Sequence, residues 1–435
     1  MTKIAIIGTG YVGLVSGLCF AKIGHNVICV DNNLSKIKQL QSGEIPIYEP
    51  GLKEILEEAV ANKNINFSTD LADAVKNSAT VFIAVGTPQN DQSGEADLSF
   101  VLEVAKAIAI NINSFKIIIT KSTVPVGTNL ALKNIIQSAN PQADFAIVSN
   151  PEFLREGCAI EDFLKPDRIV IGVEEERAKK MMAEIYRYFD NIAPIVWTNI
   201  ATAEMIKYAA NSFLAVKICF INEIANLCEK VGADIRQLSQ GIGLDKRIGD
   251  KFLNPGPGFG GSCFPKDIMA IENIAKQNNL DLSLVSSTIK SNQKRKIQMA
   301  QRIIDVAGGN VVGKTIAILG LAFKGNTDDI RYSPAIAIIK ELLKQGAKIN
   351  AHDPQAIANA QKELGENLAI RYFKNPYQAI ENADFTAITT EWEEFRNLDL
   401  AKIKQLQNSN LLVDLRNMFN NETVQDLGFQ YFGIG

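Results

Sequence analysis

Short apolar runs alternate with longer segments in which apolar residues recur at helical spacing, and this alternation fills the first 200 residues. Apolar, β-branched runs of about four to eight residues are typical of buried strands, whereas the longer periodicity is typical of amphipathic helices. The predicted strands are 3–8, 26–31, 65–69, 80–88, 116–125, 145–153 and 168–173. Strands that alternate with helices predict a doubly wound, largely parallel sheet.

A different pattern begins near residue 202, from which the chain runs to residue 231 without proline or glycine and keeps helical spacing. This segment predicts one long helix. Because ordinary globular helices span roughly 8 to 20 residues, we expect this helix to connect domains or to form a subunit interface. Further helices are predicted at 265–278 and 284–308, so the middle of the chain is mainly helical.

The opening pattern returns at residue 314, where KTIAILGLAFKG resembles the initial KIAIIGTGYVG. A second strand–helix–strand unit follows, which indicates an internal repeat. The fold class is therefore α/β, with two Rossmann-like doubly wound domains at 1–200 and 306–435 joined by a mainly helical central domain at 201–305. The second glycine motif has decayed, so we expect no dinucleotide there.

Composition narrows the possible partners. The 435 residues are 46% hydrophobic and 21% charged with a net charge of -3, which is typical of a globular protein without the basic excess that nucleic acids attract. No apolar run reaches the roughly 20 residues of a membrane span, and no signal peptide is apparent, so we expect no membrane partner and a cytoplasmic location. Six cysteines without paired spacing and only two histidines indicate reduced thiols and no metal site.

The motif GTGYVG follows a predicted strand and opens a helix, which is the context of a dinucleotide-binding loop. Gly8 permits the turn, Gly10 lets the backbone approach a pyrophosphate, and Gly13 allows close helix–strand packing. Asp31 ends the next strand, where it can accept hydrogen bonds from a ribose and disfavour a 2′-phosphate. NAD is therefore expected rather than NADP, although Lys36 could offset part of that repulsion. The alternative is a structural glycine turn with a surface aspartate.

The segment GFGGSCFPKD at 258–267 places a thiol between glycines and a Lys-Asp pair. If a helix begins at Phe264, Cys263 lies at its N-terminal end, with Lys266 and Asp267 one turn further on. The helix end and a nearby ammonium lower the pKa of such a thiol and make it a nucleophile. The alternative is a small buried residue in a tight turn.

A second polar set is scattered along the chain. Lys207 and Asn211 are four residues apart on the long helix and so share one face. Glu152 and Glu156 follow a strand end, and Thr123 ends another strand, where ligand sites of α/β proteins commonly lie. Their alternatives are an exposed lysine head and ordinary surface carboxylates.

The motifs GTGYVG, KSTVPVGT, NPEFLREG, AANSFLA and GFGGSCFPKD together resemble the nucleotide-sugar dehydrogenases, and the resemblance runs from Lys3 to about Arg416. It implies a four-electron oxidation of UDP-glucose to UDP-glucuronate by two NAD in turn. GDP-mannose or UDP-N-acetylmannosamine as the substrate are the alternatives. A one-step hydroxy-acid dehydrogenase and a catalytically inactive NAD-binding sensor are more distant ones.

The resemblance also implies roles. Cys263 traps the aldehyde as a thiohemiacetal and then carries a thioester, while Lys207 and Asp267 handle protons and Asn211 donates beside them. Thr123 and Glu156 complete the implied catalytic set. The implied cofactor contacts are Gly8, Gly10, Tyr11, Val12, Gly13, Asp31, Lys36, Thr87, Thr123, Glu156, Lys266 and Arg331. The implied UDP-sugar contacts are Glu152, Phe153, Leu154, Arg155, Glu156, Lys207, Asn211, Arg247, Phe252, Leu253, Asn254, Pro255, Gly256, Gly260 and Lys324.

Two details complete the resemblance. Arg247 is implied to reach a neighbouring subunit's site, so a homodimer is expected. Near the C-terminus, Leu415 stands where the family has glycine, and Arg416 is therefore left out of the implied contacts.

Overall fold

The computed structural model describes residues 2–89 and 96–435. The chain forms two compact units, one made of residues up to 210 together with 273–279, and one made of 211–272 together with 280–435. We call them the N-terminal and C-terminal units. The expected division into three domains at 200 and 305 stays a prediction.

The N-terminal unit contains an eight-stranded sheet. Its strands are β1 (Lys3–Ile7), β2 (Asn26–Val30), β3 (Ile65–Ser68), β4 (Thr80–Ile83), β5 (Lys116–Thr120), β6 (Phe145–Ser149), β7 (Ile169–Val173) and β8 (Ile195–Thr198). Their order is β3-β2-β1-β4-β5-β6-β7-β8, and only the β6–β7 pair is antiparallel among the described pairs. The predicted doubly wound, largely parallel sheet is confirmed. β4 and β5 end before the polar residues that the sequence had assigned to the strands at 80–88 and 116–125.

Helices cover both faces of this sheet. They are α1 (Tyr11–Lys22), α2 (Leu34–Gln41), α3 (Leu52–Ala61), α4 (Leu71–Asn77), α5 (Ser99–Ala109), α6 (Thr128–Ala139), α7 (Ala159–Leu164), α8 (Glu176–Ile185) and a short 3-10 helix (Arg187–Phe189). One face packs an aromatic core around Phe20, Phe82 and Phe163 with α1, α3 and α7. The other face packs α4, α5 and α6 through aliphatic side chains such as Val101 and Leu132. Strands buried on both faces explain their near-continuous apolar sequences.

The predicted long helix is confirmed as α9 (Ile200–Val231), which has 32 residues. It is followed by α10 (Ile235–Gly243), α11 (Phe264–Gln277) and α12 (Ser283–Val306). Among residues 2–89 and 96–435, the structure contains no helix with both the length and the apolar character needed to cross a membrane.

The C-terminal unit contains a second sheet, which confirms the predicted repeat. Its strands are β9 (Thr315–Leu319), β10 (Lys348–His352), β11 (Ile370–Tyr372), β12 (Phe385–Ile388), β13 (Leu411–Asp414) and β14 (Gln430–Phe432). Its helices are α13 (Pro334–Lys344), α14 (Ile357–Leu364), α15 (Pro376–Ile380), α16 (Glu393–Arg396), α17 (Leu400–Leu406) and α18 (Asn421–Asp426). The strand order β11-β10-β9-β12-β13-β14 is all parallel and repeats the order of the first six strands of the N-terminal sheet.

Candidate active site

The residues that the sequence analysis singled out divide between the two units. The N-terminal unit contains Gly8, Gly10, Tyr11, Val12, Gly13, Asp31, Lys36, Thr87, Thr123, 152–156 and Lys207. The C-terminal unit contains Asn211, Arg247, 252–256, Gly260, Cys263, Lys266, Asp267, Lys324 and Arg331.

The first glycine loop has the geometry of a nucleotide cradle. Gly8 has a φ of 104°, and a Cβ there would lie 2.6 Å from the carbonyl oxygen of Ala84. A Cβ on Gly13 would lie 2.0 Å from the carbonyl oxygen of Gly8, whereas a Cβ on Gly10 would meet no atom within 4 Å. Helix α1 starts here without a side-chain cap, so its first N–H groups are available to an anion. The loop therefore fits a pyrophosphate.

Asp31 follows β2 at the same edge of the sheet. Its Oδ2 accepts hydrogen bonds from the backbone N and Oγ1 of Thr9 at 2.9 and 2.7 Å, and its Oδ1 accepts one from the N of Asn33 at 3.0 Å. Burial raises the pKa of Asp31, but these hydrogen bonds and Lys36 outweigh burial and hold it below its usual range. An ionised acceptor at this position fits the ribose of a dinucleotide.

Tyr11 of the glycine motif has a partner that no sequence pattern predicted. Its phenol donates to the carboxylate of Glu49, which also accepts from the backbone N of Gly157 at 2.6 Å and of Ala159 at 2.7 Å. Burial and Glu49 raise the pKa of Tyr11 far above its usual value, so the phenol stays protonated. Glu49 thus connects Tyr11 of the glycine loop to the end of NPEFLREG and the start of α7. Val12, the neighbour of Tyr11, is half-buried in α1.

Lys207 and Glu152 form a buried ion pair. The Lys207 Nζ lies 3.0 Å from the Glu152 Oε1, and both side chains are only 4% exposed. The other carboxylate oxygen accepts from the backbone N of Leu154 at 2.5 Å. The ring of Phe153 lies 5.3 Å from the Lys207 ammonium and 3.7 Å from the guanidinium of Arg168. The segment after β6 therefore surrounds Lys207 with one carboxylate and one aromatic ring.

The remaining N-terminal candidates have simpler surroundings. The Thr87 hydroxyl donates to the carbonyl oxygen of Thr123 at 3.0 Å, which joins the segments after β4 and β5. Glu156 is buried. The Arg155 guanidinium binds both carboxylate oxygens of Asp162, the closest at 2.6 Å, and it is 55% exposed. Arg155 is therefore already committed to a partner within its own unit.

Cys263 lies immediately before α11, which begins at Phe264 as predicted. The backbone N of Asp267 donates to the carbonyl oxygen of Cys263 at 2.9 Å, so the cysteine occupies the first turn's N-terminal end. Its thiol is half-buried and lies 3.6 Å from the Ser262 hydroxyl. The helix dipole at this end favours a thiolate.

Three other cysteines have a contrasting environment. Burial raises the pKa of Cys19 and of Cys29 to about 12 and that of Cys219 to about 11. Such thiols stay protonated and unreactive at neutral pH.

A carboxylate lies one helical turn beyond the thiol. Asp267 is 1% exposed, and its Oδ2 accepts from the Asn211 side-chain amide at 2.6 Å. Its Oδ1 lies 3.0 Å from the Lys266 ammonium. The structure thus brings Asn211, Lys266 and Asp267 together, as the sequence indicated for the last two.

Polar side chains of α9 and α12 hold the loop before the cysteine. The backbone N of Gly256 donates to Asn222 Oδ1 at 2.8 Å, and its carbonyl oxygen accepts from Arg295 Nε at 3.0 Å. Asn292 accepts from the backbone N of Phe259 at 2.8 Å and donates to the carbonyl oxygen of the same residue at 3.0 Å. Asn222, Asn292 and Arg295 were not among the residues expected from the sequence, although a polar residue at an apolar helix position was a usable signal.

The loop itself has little spare room. Ser239 donates to the carbonyl oxygen of Leu253 at 2.7 Å, and Phe252 has a positive φ of 64°. Pro255 is buried, whereas Asn254 is exposed. At Gly260, a Cβ would lie 2.6 Å from the carbonyl oxygen of Tyr332, so only glycine fits without a shift.

The three basic side chains expected to contact ligands from the C-terminal unit differ in their partners and in their exposure. Lys324 lies 5.4 Å from the ring of Phe323. Arg331 is bound to Asp329 at 2.7 Å with a side chain 62% exposed, and Arg247 is bound to Asp245 at 2.6 Å with a side chain 89% exposed.

Arg416 was left out of the implied contacts because Leu415 stands where the family has glycine. The structure nevertheless places Arg416 beside Gly256, in the loop that precedes Cys263. Its NH2 donates to the carbonyl oxygen of Phe323 at 2.8 Å, and its NH1 would lie 3.3 Å from a Cβ on Gly256. Leu415 is fully buried and leaves the position of the arginine intact. Arg416 is therefore a candidate that the sequence reasoning missed.

Among residues 2–89 and 96–435, no group of three or more histidine, cysteine or carboxylate side chains could hold a metal ion. The glycine cradle with its ionised aspartate, the half-buried thiol at a helix end and the buried side chains of Lys207 and Asp267 are the features of an NAD-dependent oxidoreductase of the doubly wound α/β class.

Comparison with known proteins narrows the class. The family models for the NAD-binding, central and UDP-binding domains of UDP-glucose/GDP-mannose dehydrogenases match residues 2–190, 201–294 and 317–421. The chain belongs to the UDP-glucose/GDP-mannose dehydrogenase family.

Individual relatives agree with this assignment. The chain is 52% identical to a UDP-glucose 6-dehydrogenase of Rhizobium meliloti, over 100% of this chain and 99% of the relative. It is 47% identical to the UDP-glucose 6-dehydrogenase TuaD of Bacillus subtilis, over 100% and 93% of the two chains. Its fold matches a solved UDP-glucose dehydrogenase of Pyrobaculum islandicum with a TM-score of 0.91 and 35% identity, covering 100% of this chain and 97% of that one.

Proposed function

We propose that this protein oxidises UDP-glucose to UDP-glucuronate through a covalent intermediate on Cys263. The observation that carries the proposal is the position of this thiol at the N-terminal end of α11, one turn from the buried Asp267 with its Asn211 and Lys266 partners. The relatives of Rhizobium meliloti and Bacillus subtilis, both named UDP-glucose 6-dehydrogenase, support UDP-glucose as the substrate.

The cofactor end of the reaction belongs to the N-terminal unit. Gly8, Gly10 and Gly13 would cradle the pyrophosphate, and Asp31 would accept from the adenosine ribose. Tyr11, Val12, Lys36, Thr87, Thr123, Glu156, Lys266 and Arg331 complete the proposed cofactor contacts. When bound, NAD supplies the hydride acceptor of both oxidation steps, one molecule for each.

The chain's own groups supply the proton transfers and the nucleophile. Lys207 or Asp267 takes the proton of the C6 hydroxyl as that carbon becomes an aldehyde. The Cys263 thiolate then forms a bond to the aldehyde carbon and gives a thiohemiacetal, whose oxidation leaves a thioester. Water adds to the thioester carbonyl, the carbon–sulfur bond breaks, and the acid and the free thiolate are released. The proposed catalytic set also includes Asn211, Thr123 and Glu156. Asn211 would act as a hydrogen-bond donor beside Lys207 and Asp267.

The nucleotide end of the substrate belongs to the C-terminal unit. Residues 252–256, Gly260 and Lys324 would contact the UDP-sugar, with the Lys324 ammonium available to the diphosphate. Glu152, Phe153, Leu154 and Arg155 complete the proposed contacts beside Glu156, Lys207 and Asn211. The hydrogen bonds that Gly256 donates to Asn222 and accepts from Arg295 support a preformed substrate loop.

A substrate panel tests this function. NADH release is measured with UDP-glucose, UDP-N-acetylmannosamine and GDP-mannose side by side at equal concentrations. We expect UDP-glucose to be oxidised with a kcat/KM at least about a hundredfold higher than the others. A preference for either other sugar would replace the proposed substrate, and no NADH with any of them would favour the inactive NAD-binding sensor.

We also propose that the protein is a homodimer located in the cytoplasm. Phe213, Phe220 and Leu227 recur every seven residues along α9, and they are 66%, 50% and 56% exposed. A heptad-spaced apolar stripe fits the same stripe of a second copy. In such a dimer, Arg247 would serve the partner's site. Light scattering after size exclusion should give a dimer for the wild type and a monomer for Phe220→Glu, whereas a monomeric wild type would refute the dimer.

A further inference from the structure

Among the described residues, three lysines are buried: Lys116, Lys121 and Lys207. All three belong to the N-terminal unit. Lys207 is paired with Glu152, but Lys121 has no role in the function described above. Because a buried lysine is costly to keep charged, its retention calls for a physical reason.

Lys121 is fixed at the carboxyl end of β5. Its backbone N donates to the carbonyl oxygen of Ile83 at 2.9 Å, and its Nζ donates to Asn150 Oδ1 at 3.2 Å. Asn150 is held in turn, because its amide donates to Val170 O at 2.8 Å and its Oδ1 also accepts from the Tyr186 hydroxyl at 2.5 Å. The ammonium is thus anchored to a neutral, immobile partner rather than to a carboxylate.

The charged groups around Lys121 come from two other segments. Glu152 after β6 and Lys207 on α9 interact with it electrostatically, so two ammonium groups face one carboxylate. Burial lowers the pKa of Lys121, Glu152 opposes this effect and Lys207 adds to it, so that the pKa falls to about 8. Tyr186 stays neutral because burial raises its pKa, and the guanidinium of Arg168 lies over the Phe153 ring.

We propose that Lys121 is a positioning residue whose buried ammonium favours the neutral, proton-accepting form of Lys207 beside Glu152. It acts through space, since a positive charge in a low-dielectric surrounding repels a second one. Without it, the Glu152 carboxylate would bind the Lys207 proton more tightly. The inference rests on the proposed function, in which Lys207 accepts a proton from the substrate.

The test is the pH profile of kcat/KM for NADH release from UDP-glucose. Lys121→Met removes the charge and keeps the length, Lys121→Arg keeps the charge, and Lys116→Met is the matched control. Lys116 is a second buried lysine, whose Nζ donates to Ser78 O at 2.9 Å. It is the first residue of β5, whereas Lys121 comes directly after the last residue of that strand. About 16 Å of strand separates the two residues.

We expect the acid limb of the Lys121→Met profile to move to higher pH by about half to one unit, which is a threefold to tenfold loss on that limb. At alkaline pH its activity should approach that of the wild type. Lys121→Arg and Lys116→Met should retain the wild-type profile. An equal loss at every pH, or the same shift in Lys116→Met, would overturn the inference. An inactive wild type would instead refute the proposed function.

A second measurement needs no substrate. The pKa of Lys121 is lower in the folded protein, about 8, than the ordinary lysine value of 10.5, so the unfolded chain binds more protons between these values. The penalty for burying the charge is complete below pH 8 and disappears as the pH rises to 10.5. The melting temperature of Lys121→Met relative to wild type should therefore fall over this window. A constant difference would contradict a buried, charged Lys121.

Discussion

The two sheets share a strand order and a glycine turn, yet their nucleotide loops differ. Gly8 after β1 and Gly320 after β9 have nearly equal φ angles of 104° and 103°. Asp31 and Asp353 follow the second strand of each sheet. Asp31 accepts from Thr9 and Asn33, whereas Asp353 is 1% exposed and accepts from five donors.

Those five donors close the second loop. The Oδ2 of Asp353 accepts from the backbone N of Leu321 and Ala322 at 2.7 and 3.0 Å and from Trp392 Nε1 at 3.0 Å. Its Oδ1 accepts from the backbone N of Gln355 and Ala356 at 2.9 and 2.8 Å. Five donors fill the roughly four acceptor sites of a carboxylate, so Asp353 offers a ribose hydroxyl no free acceptor.

The two loops also differ at the second glycine position of the motif. Gly10 borders open space, and its counterpart is Ala322, which is 1% exposed. A Cβ on Gly320 would lie 2.3 Å from Thr390 Cβ, so a side chain fills the space beside the turn. The repeated architecture thus preserves the turn and the acid in both sheets, while the neighbours of the acid decide whether a dinucleotide fits.

The largest effect should come from removing the chemistry while both nucleotide loops stay intact. Cys263→Ala should lower acid production by at least about a thousandfold, because no thioester can form. Isothermal titration should show NAD and UDP-glucose bound as in the wild type. Cys158→Ala is the control, since that thiol is exposed. Acid production by Cys263→Ala near the wild-type rate would return this cysteine to a packing role.

The next effect should be structural and confined to the C-terminal sheet. Asp353→Ala leaves buried donors without a partner, and we expect a loss of about 3 kcal/mol in the stability of that unit. The two tryptophans separate the units, since Trp392 lies immediately before α16 in the C-terminal unit and Trp197 lies in β8 of the N-terminal unit.

Urea unfolding followed by Trp392 fluorescence in a Trp197→Phe background measures this loss. The midpoint should move to lower urea, while the affinity for NAD in native buffer stays the same. A weaker affinity for NAD with no change in the midpoint would mean that the second loop, against its geometry, holds the cofactor.

The equivalent substitution in the N-terminal sheet should act on the cofactor. Asp31→Ala removes charge-assisted acceptors of the ribose, so the Kd for NAD should rise about thirtyfold, or about 2 kcal/mol. Affinity for NADP should increase, because a repulsive charge is lost. Fluorescence titration with each cofactor measures both changes. Unchanged affinity for NADP would place Asp31 away from the ribose.

The smallest effect is expected at the open position of the first loop. Gly10→Ala adds a methyl group where no atom lies within 4 Å, in a backbone conformation that alanine adopts freely. Stability should change by less than about 0.5 kcal/mol, while NAD should bind about fivefold more weakly. Gly241→Ala, also in open space, is the control and should leave NAD binding unchanged. An unaltered Kd for Gly10→Ala would remove the pyrophosphate from this loop.

Local signals in the sequence were sufficient for the scaffold of both sheets. Apolar runs predicted the strands, the absence of proline and glycine predicted α9, and the return of the opening pattern at residue 314 predicted the second sheet. The position of Cys263 at a helix end followed from a helix that begins at Phe264, as α11 does. Each of these signals lies within about 30 consecutive residues, which is the range over which periodicity and turn chemistry operate.

Contacts between distant segments could not be predicted in this way. Glu49 caps the segment at Gly157, and Glu204 on α9 accepts from Gly127 and Asn129 at the start of α6. Such pairs have no fixed spacing, because tertiary packing rather than local geometry brings them together. For the same reason, Lys121 was known as the first residue of KSTVPVGT, but its contacts with Asn150, Glu152 and Lys207 could not be predicted.

The most direct test of the account is the yield of NADH from a limiting amount of UDP-glucose. Enzyme and excess NAD are allowed to consume all the substrate, and NADH and UDP-glucuronate are quantified together. Oxidation of one carbon twice through a thioester predicts about two NADH and one UDP-glucuronate per UDP-glucose. A yield of about one NADH, with an aldehyde as the product, would contradict the thioester on Cys263.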